Sequence, residues 1–497
     1  MTLADPPTRP SRLPADCLDR LRRALSPGRL LTDPAELSVF ETDGFTLAKS
    51  RPGAVAFCET SGQVRNVVKI LAEFGVPIVP RGSGTGLTGG CVAFDSADGT
   101  PGVVVSVSRM TKVHAIDLDN RVACVDAGVR NTQLSEAVAA VPGGERFHFA
   151  PDPSSQRAST IGGNAATNAG GIHVLKDFVT SSHVLGVEMV TPDGELVTLG
   201  ATGGVVTSPG GFDLPALVCG SEGTLGIVTK LWVRLTPKRP AFRTVVALFP
   251  SQQAACAAVS DVIASGVQPA AMEMLDGKMV EVVEKVFKLG IDPTAQAMLL
   301  VELDGPPATI DREMNSVAAL FRKHDATSVE TASDPARKNE LWAARKRAFG
   351  AIGRISPSYC TQDACVPRSR LAEVLEKVDE IGKAHGLAIN NVFHAGDGNV
   401  HPIFLYDDND PEQVAVVLEA AEAVLKACVD LGGTISGEHG IGVEKLALMP
   451  YLFDGRTLKA FADVKAAFDP DDRINAGKLL PRDGVVPPLH PGRKVPQ

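Results

Sequence analysis

The sequence predicts an α+β protein of two domains, on three observations. Short apolar, strand-like runs alternate with amphipathic helical stretches along most of the chain. The first half is unusually dense in glycine, whereas the second carries longer helices. Between them, prolines and basic residues break the pattern at "LTPKRP", Leu235 to Pro240. A length of 497 residues also exceeds what one ordinary core supports.

The elements follow in order. "MTLADPPTRPSRLPAD" has no apolar signal core and reads as a frayed arm, residues 1–34. An amphipathic helix begins at "SGQVRNVVKILAEFG", with Ser61 as its cap and Gly75 as its stop, between strands "AVAFC" and "VPIVP". Further strands are "GVVVSV", "VHAIDL", "VACVDAGV", "VLGVEMVT" and "LVTLG". Past the boundary, "FRTVVALF" leads to a helix near 251–265, and "QAMLLVELDG" to one near 307–324. "DPARKNELWAARKRAFG" and "RSRLAEVLEKVDEIGKAHG" are helical. This alternation predicts helices covering one face of a sheet.

Composition excludes several classes. With 44% hydrophobic and 22% charged residues the chain is globular, not disordered. A formal charge of −9 argues against general nucleic-acid binding. No apolar run approaches the roughly 18–20 residues that span a bilayer. The nine cysteines include no Cys-x-x-Cys, which points to reduced thiols in a cytoplasmic setting and against an iron–sulfur cluster.

Three glycine clusters carry the chemistry of the first domain. "PRGSGTGLTGG", Pro80 to Gly90, follows a strand and satisfies G-x-G-x-x-G at Gly84, Gly86 and Gly89. A Rossmann site needs a helix to start there, yet "GCVAFDSADGTPG" follows, so a nest-like loop cradling pyrophosphate without a helix fits better. "PDPSSQRASTIGGNAATNAGG" and "GSEGTLGIVTK" supply small residues and amides suited to a close wall. Each alone is equally a tight turn. Three within one domain favour a large phosphorylated cofactor.

The second domain contains "FHAGDGNVHP", Phe393 to Pro402. If Asp397-Gly398 is a two-residue hairpin turn, His394 lies directly opposite His401, with Cβ atoms roughly 4.5–5.5 Å apart. Two readings remain open: a pair of imidazoles holding one metal ion, or two strand-end histidines bonded to carbonyls or solvent.

These three clusters, with "HAGDGNVHP" and "SGEHGIG", occur in this order in the FAD-linked 2-hydroxy-acid dehydrogenases, which the chain resembles over roughly residues 35 to 480. That group belongs to the vanillyl-alcohol-oxidase type of flavoproteins and includes D-lactate and D-2-hydroxyglutarate dehydrogenases. "RISPSYC" and "AFDPDDRINAGKLLP" look closest to the FAD subunit of glycolate oxidases. The resemblance implies a two-part FAD-binding domain at 35–238. It also implies an α+β cap at 239–480 that includes the metal site and a C-terminal helical segment, and a tail at 481–497. It assigns FAD contacts to Arg81, Gly82, Ser83, Gly84, Thr85 and Gly86 in the pyrophosphate loop. Pro151, Ser159, Gly162, Gly163 and Asn164 fall in the wall, and Glu222, Gly223 and Ile227 in a further contact. With no histidine or cysteine in the pyrophosphate loop, FAD is expected to be noncovalent.

"SGEHGIG", Ser436 to Gly442, answers the hairpin: Glu438 would complete His394 and His401 as a two-histidine, one-carboxylate site, leaving His439 as the base. Zinc fits these donors, and iron and manganese accept them too. Family position also singles out Arg345 of "LWAARKRAFG" to grip a substrate carboxylate, the alternative being a solvated basic helix face. Relatives acting on larger dicarboxylates carry a basic side chain near "SYCTQDACVP"; its absence here points to a small monocarboxylate. The expected activity is glycolate to glyoxylate, with D-lactate to pyruvate second, and a metal-dependent hydrolase or noncatalytic flavin subunit as rivals. The resemblance further implies a second flavin subunit and an iron–sulfur subunit as partners, at the cytoplasmic face of the inner membrane.

Overall fold

A computed structural model describes residues 13–204 and 210–481. The expected tail therefore lies almost wholly outside the described residues, as do the first twelve of the expected arm. The chain forms two compact units. One comprises 1–169, 179–237 and 439–497, the other 170–178 and 238–438.

The first unit holds two main sheets. In one, strands Ala54–Phe57, Val103–Ser106 and Ile78–Arg81 run parallel, with Leu30–Leu31 antiparallel at the edge. Val103–Ser106 is buried on both faces, as a parallel strand between covering layers should be. The other is a five-stranded antiparallel sheet in the order Val113–Asp117, Val122–Asp126, Ile227–Arg234, Val184–Val190, Leu196–Gly200. Helix Ser61–Glu73 buries Val64, Val67, Val68 and Leu71, the i, i+3, i+4, i+7 stripe of a helix with one covered face. Its cap is Thr60, whose hydroxyl accepts from Gln63 N at 3.2 Å, one residue earlier than expected.

Two expectations change here. The arm is structured from Leu13: helix Ala15–Ala24 places Cys17 and Leu21 in the core of this unit. The C-terminal segment belongs with this unit and not with the cap. Asn475 N donates to Ile78 O at 2.7 Å, and Ile78 N donates to Arg473 O at 3.2 Å, extending the parallel sheet. Such pairing joins residues far apart in sequence, which no local pattern reveals.

The second unit is built on an eight-stranded sheet, wholly antiparallel. Its main order is Ser328–Ala332, Ala241–Phe249, Ala297–Gly305, Ala271–Asp276, Ile389–His394, Asn399–Tyr406, Ser358–Thr361. Helices cover both faces, not one. Helices Gly277–Phe287 and Pro335–Ile352 pack Met279, Val280, Trp342 and Ala348 with Leu275, Leu300 and Val392. On the opposite face Phe249 meets Phe321 of helix Pro307–Lys323 edge to face at 5.6 Å. Double coverage removes the inside–outside alternation, and Ala271–Asp276 is buried at every position.

Candidate functional site

The cluster begins with the hairpin Ile389–His394 and Asn399–Tyr406. Its connection has four residues, Ala395–Gly398, so His394 pairs with Asn399 and His401 with Val392. The expected two-residue turn is thus replaced by a longer one, in which Asp397 N and Gly398 N both donate to His394 O, at 3.3 and 3.2 Å. Gly398 sits at φ +83°, and a Cβ there would lie 2.1 Å from Val366 O, so only glycine fits. The register shift is two residues, one full side-chain period, so both histidines keep the same face. Their rings stand edge to face, centroids 5.1 Å apart.

Glu438 completes the triad. Its Oε1 lies 3.2 Å from His394 Nε2 and 3.4 Å from His401 Nε2. The three potential ligand atoms all fall within 4.8 Å of one another. Two buried carboxylates unmarked by the sequence hold this arrangement. Glu273, directly opposite His394 on the neighbouring strand, accepts from His394 Nδ1 at 2.7 Å and from Arg345 Nε at 2.6 Å. Asp363 accepts from Ser436 Oγ and Gly437 N, both at 2.8 Å, and from Glu438 N at 3.1 Å. His401 Nδ1 meets Gln362 O at 3.3 Å.

The electrostatics follow. Burial alone would push His394 down, but the Glu273 and Glu438 carboxylates override it and hold the imidazole well above its ordinary value. Burial would likewise raise Glu438, yet His394 and His401 hold it well below the usual carboxylate range. Each ring faces an acceptor at both nitrogens, Glu273 and Glu438 for His394, Gln362 O and Glu438 for His401. A neutral imidazole has one N–H, so a cation is favoured beside the Nε2 atoms. A proton fills that need on His394; a divalent ion coordinated by two imidazoles and a carboxylate would fill it better. The donor set therefore fits a metal.

Arg345 is brought to this cluster but buried, with its Nε committed to Glu273. The solvated basic face is excluded for it. His439 directly follows Glu438 and opens the segment that groups with the first unit.

In the first unit the glycine-rich loop follows strand Ile78–Arg81 and no helix begins at its end, as expected. Gly82 abuts the second cluster, where a Cβ would lie 2.6 Å from Thr160 Oγ1; Gly84 takes φ +73°. Ser83 is exposed, and Thr85 and Gly86 are half-buried. Arg81 is buried, donating to Thr42 O at 3.0 Å. Thr160 caps helix Ile161–Thr167. On either side of it, Ser159 Oγ and Asn164 Nδ2 are buried without a hydrogen-bond partner. Each such orphan costs about 1–3 kcal/mol unless a ligand satisfies it. The pair fits a bound cofactor rich in acceptors.

Other expected contacts serve the chain itself. Gly162 is packed on Ala127, whose Cβ would be 2.6 Å from an added one, while Gly163 N donates to the Thr160 cap. Pro151 O accepts from Asn131 Nδ2 at 2.8 Å. Ile227 is a buried strand start, and Gly223 holds φ +71° beside Pro80. Glu222 accepts from Ile441 N at 2.6 Å and Gly442 N at 2.7 Å, so both carboxylate oxygens are engaged, and its own backbone N–H donates to Ala166 O at 2.7 Å. Asn475 Nδ2 donates to Glu222 O and Gly90 O, and Lys478 Nζ to Gly90 O, Val92 O and Asn475 Oδ1, tying the clusters together.

An orphan-lined glycine cradle in one unit and a two-histidine, one-carboxylate cluster in the other accompany matches that make the chain a flavin-dependent oxidoreductase. Residues 52–200 match the FAD binding domain, and residues 238–479 match the C-terminal domain of FAD linked oxidases. The chain is 41% identical over 452 residues to glycolate oxidase subunit GlcD of Escherichia coli (strain K12), covering 91% of this chain and 88% of that one. It is 32% identical over 421 residues to a D-lactate dehydrogenase of Archaeoglobus fulgidus, covering 84% and 89%. Its fold is shared with 4-ethylphenol oxidase from Gulosibacter chungangensis at a TM-score of 0.77 and 19% identity, covering 96% and 100%. The chain belongs to the FAD-linked oxidase family, with the vanillyl-alcohol-oxidase type of fold. A hydrolase without redox chemistry is thereby set aside.

Proposed function

We propose that the chain oxidises a small 2-hydroxy acid to the 2-oxo acid, glycolate to glyoxylate. The observation that carries this reading is the convergence of His394 Nε2 and His401 Nε2 on Glu438 Oε1. These three residues would hold a divalent ion, zinc by its N/O preference. Such an ion supplies Lewis acidity that lowers the pKa of a 2-hydroxyl group. The 82–86 loop with Ser159 and Asn164 would hold FAD noncovalently, and that cofactor would supply a hydride acceptor.

The chain's own residues do the rest. His439 takes the hydroxyl proton as general base. Arg345 pairs with the substrate carboxylate through its Nη groups, since Nε is committed to Glu273. The segment 358–367 flanks the histidines, with Ala364 pairing to Val400. It offers no basic side chain for a second carboxylate, which favours a monocarboxylate. D-lactate is the second reading, favoured by the similarity to a D-lactate dehydrogenase. The two substrates differ by one methyl group, a difference a pocket reads at only about 1–3 kcal/mol.

Reduced flavin must then be reoxidised. The nine cysteines include no Cys-x-x-Cys and, among the described residues, no helix is long and apolar enough to cross a membrane. The Escherichia coli relative is by name a subunit. Electrons accordingly pass to a second flavin subunit and an iron–sulfur subunit, in a cytoplasmic complex at the inner membrane surface. Anaerobic titration with glycolate, D-lactate, L-lactate and D-2-hydroxyglutarate tests the reading: glycolate should bleach the flavin at the lowest concentration. Bleaching by none of the four refutes it. The isolated chain should reduce an artificial dye but reduce quinone poorly; efficient quinone reduction would refute the partner requirement.

A further inference from the structure

Glu273 has no part in the proposed chemistry, yet it is completely buried and both its oxygens are engaged. Burying a carboxylate is costly unless it is paired and hydrogen-bonded. The partners chosen here are unequal in kind. One is Arg345 Nε at 2.6 Å, a fixed guanidinium that keeps the carboxylate charged. The other is His394 Nδ1 at 2.7 Å, the ring nitrogen turned away from Glu438. Strand pairing makes this contact rigid: Glu273 stands directly opposite His394, on the face covered by the helix that carries Arg345.

The geometry points to Glu273, locked by Arg345, as the positioning residue for His394. By accepting the Nδ1 proton it fixes the tautomer whose Nε2 lone pair faces Glu438 and His401, and it strengthens that nitrogen as a donor. His401 is treated differently. Its Nδ1 lies nearest a carbonyl, Gln362 O, at the longer distance of 3.3 Å, with the Asp363 carboxylate farther off at 3.8 Å. The two histidines are therefore graded, His394 the stronger donor and His401 the weaker. Arg345 accordingly acts on the site through Glu273, besides any contact it makes with substrate. The inference rests on the metal reading of His394, His401 and Glu438.

The test is zinc affinity, measured by titrating chelator-stripped, FAD-containing full-length protein against a chromophoric chelator. Removing Glu273 alone would leave a buried arginine uncompensated, so Arg345→Met accompanies the changes. Glu273→Gln with Arg345→Met keeps an acceptor at Nδ1 but loses the charge, and zinc should bind about tenfold more weakly. Glu273→Leu with Arg345→Met removes the acceptor as well, and the loss should approach about a hundredfold. FAD absorbance and cooperative unfolding should persist in both. Should either double variant fail to fold, Glu273→Asp keeps the charge but withdraws it from Nδ1, and it too should weaken zinc binding. Folded variants that bind zinc as tightly as the parent would overturn the role of Glu273 and leave a merely structural ion pair. A parent protein that takes up no zinc, cobalt or manganese would instead overturn the metal reading, and this inference with it.

Discussion

Asp363 is not one of the three proposed ligands, although its Oδ1 lies 3.8 Å from His401 Nδ1, and the structure says what its removal should do. Its carboxylate is fully buried and accepts from Ser436 Oγ, Gly437 N and Glu438 N, at 2.8, 2.8 and 3.1 Å. The segment cannot slide to find other partners: a Cβ on Gly437 would lie 2.3 Å from Asn399 Oδ1, so the chain is pressed between Asp363 and the hairpin. In Asp363→Asn one oxygen can still serve Ser436 and Gly437, but Glu438 N, which reaches both carboxylate oxygens at 3.1 Å, keeps one acceptor and confronts the amide NH2 in place of the other. Hydrogen bonds to a charged acceptor contribute about 1.5–3 kcal/mol each, so the loss should be about 1.5–3 kcal/mol. Asp363→Ala strands two backbone N–H groups and a hydroxyl, and about 3–5 kcal/mol is expected, less than the sum because burying the carboxylate is itself unfavourable. Urea unfolding of the FAD-bound protein measures both. Because Asp363 sets the backbone of Glu438, metal retained after dialysis should fall in parallel. Asp363→Asn within about 0.5 kcal/mol of the parent, with metal content unchanged, would refute the reasoning.

His394→Ala or His401→Ala should abolish metal retention and substrate reduction while FAD stays bound, because the 82–86 loop, Ser159 and Asn164 belong to the other unit; elemental analysis and flavin absorbance check this. Glu438→Ala should weaken metal retention, whereas His439→Ala should keep most of the metal and lose flavin reduction; equal metal loss in both would make His439 a ligand. Gly398→Ala forces φ +83° on a side chain and drives its Cβ to 2.1 Å from Val366 O, so a loss of at least about 1–3 kcal/mol is expected in urea unfolding. Burial pushes the Asp276 carboxyl up to about 6, although Met279 N and the Asn391 amides donate to it. Between the unfolded value near 4 and that folded value the native state holds the extra proton, so this group's contribution to stability falls as pH rises from about 4 to about 6. The advantage of the parent over Asp276→Asn in urea unfolding should accordingly be larger at pH 5 than at pH 7.

Much was legible in the sequence, for physical reasons that can be named. Half-buried elements announce themselves by period: Val64, Val67, Val68 and Leu71 mark a helix face, and the alternation in Ile227–Arg234 marks a strand. Glycines at forced approaches, such as Gly84 and Gly398, are conspicuous because a Cβ would lie 2.2 Å from Arg81 Nη2 at the first and 2.1 Å from Val366 O at the second. The His394, His401 and Glu438 set was readable because a period of two survives a register slip of two, so a wrong turn still gave the right face. Other features had no local signal. Strand Ala271–Asp276 is covered on both sides and does not alternate, so Glu273 and Asp276 pass in the sequence for surface charges. Nothing near Glu222 indicates that its carboxylate closes on Ile441 and Gly442, nor near Asn475 that it joins the edge beside Ile78. The sequence by itself determined which chemical groups are present and which face of each element they share. Only the tertiary structure decided which buried charge stands behind which imidazole, because such pairings depend on strand neighbours and chain crossings that a single segment cannot encode.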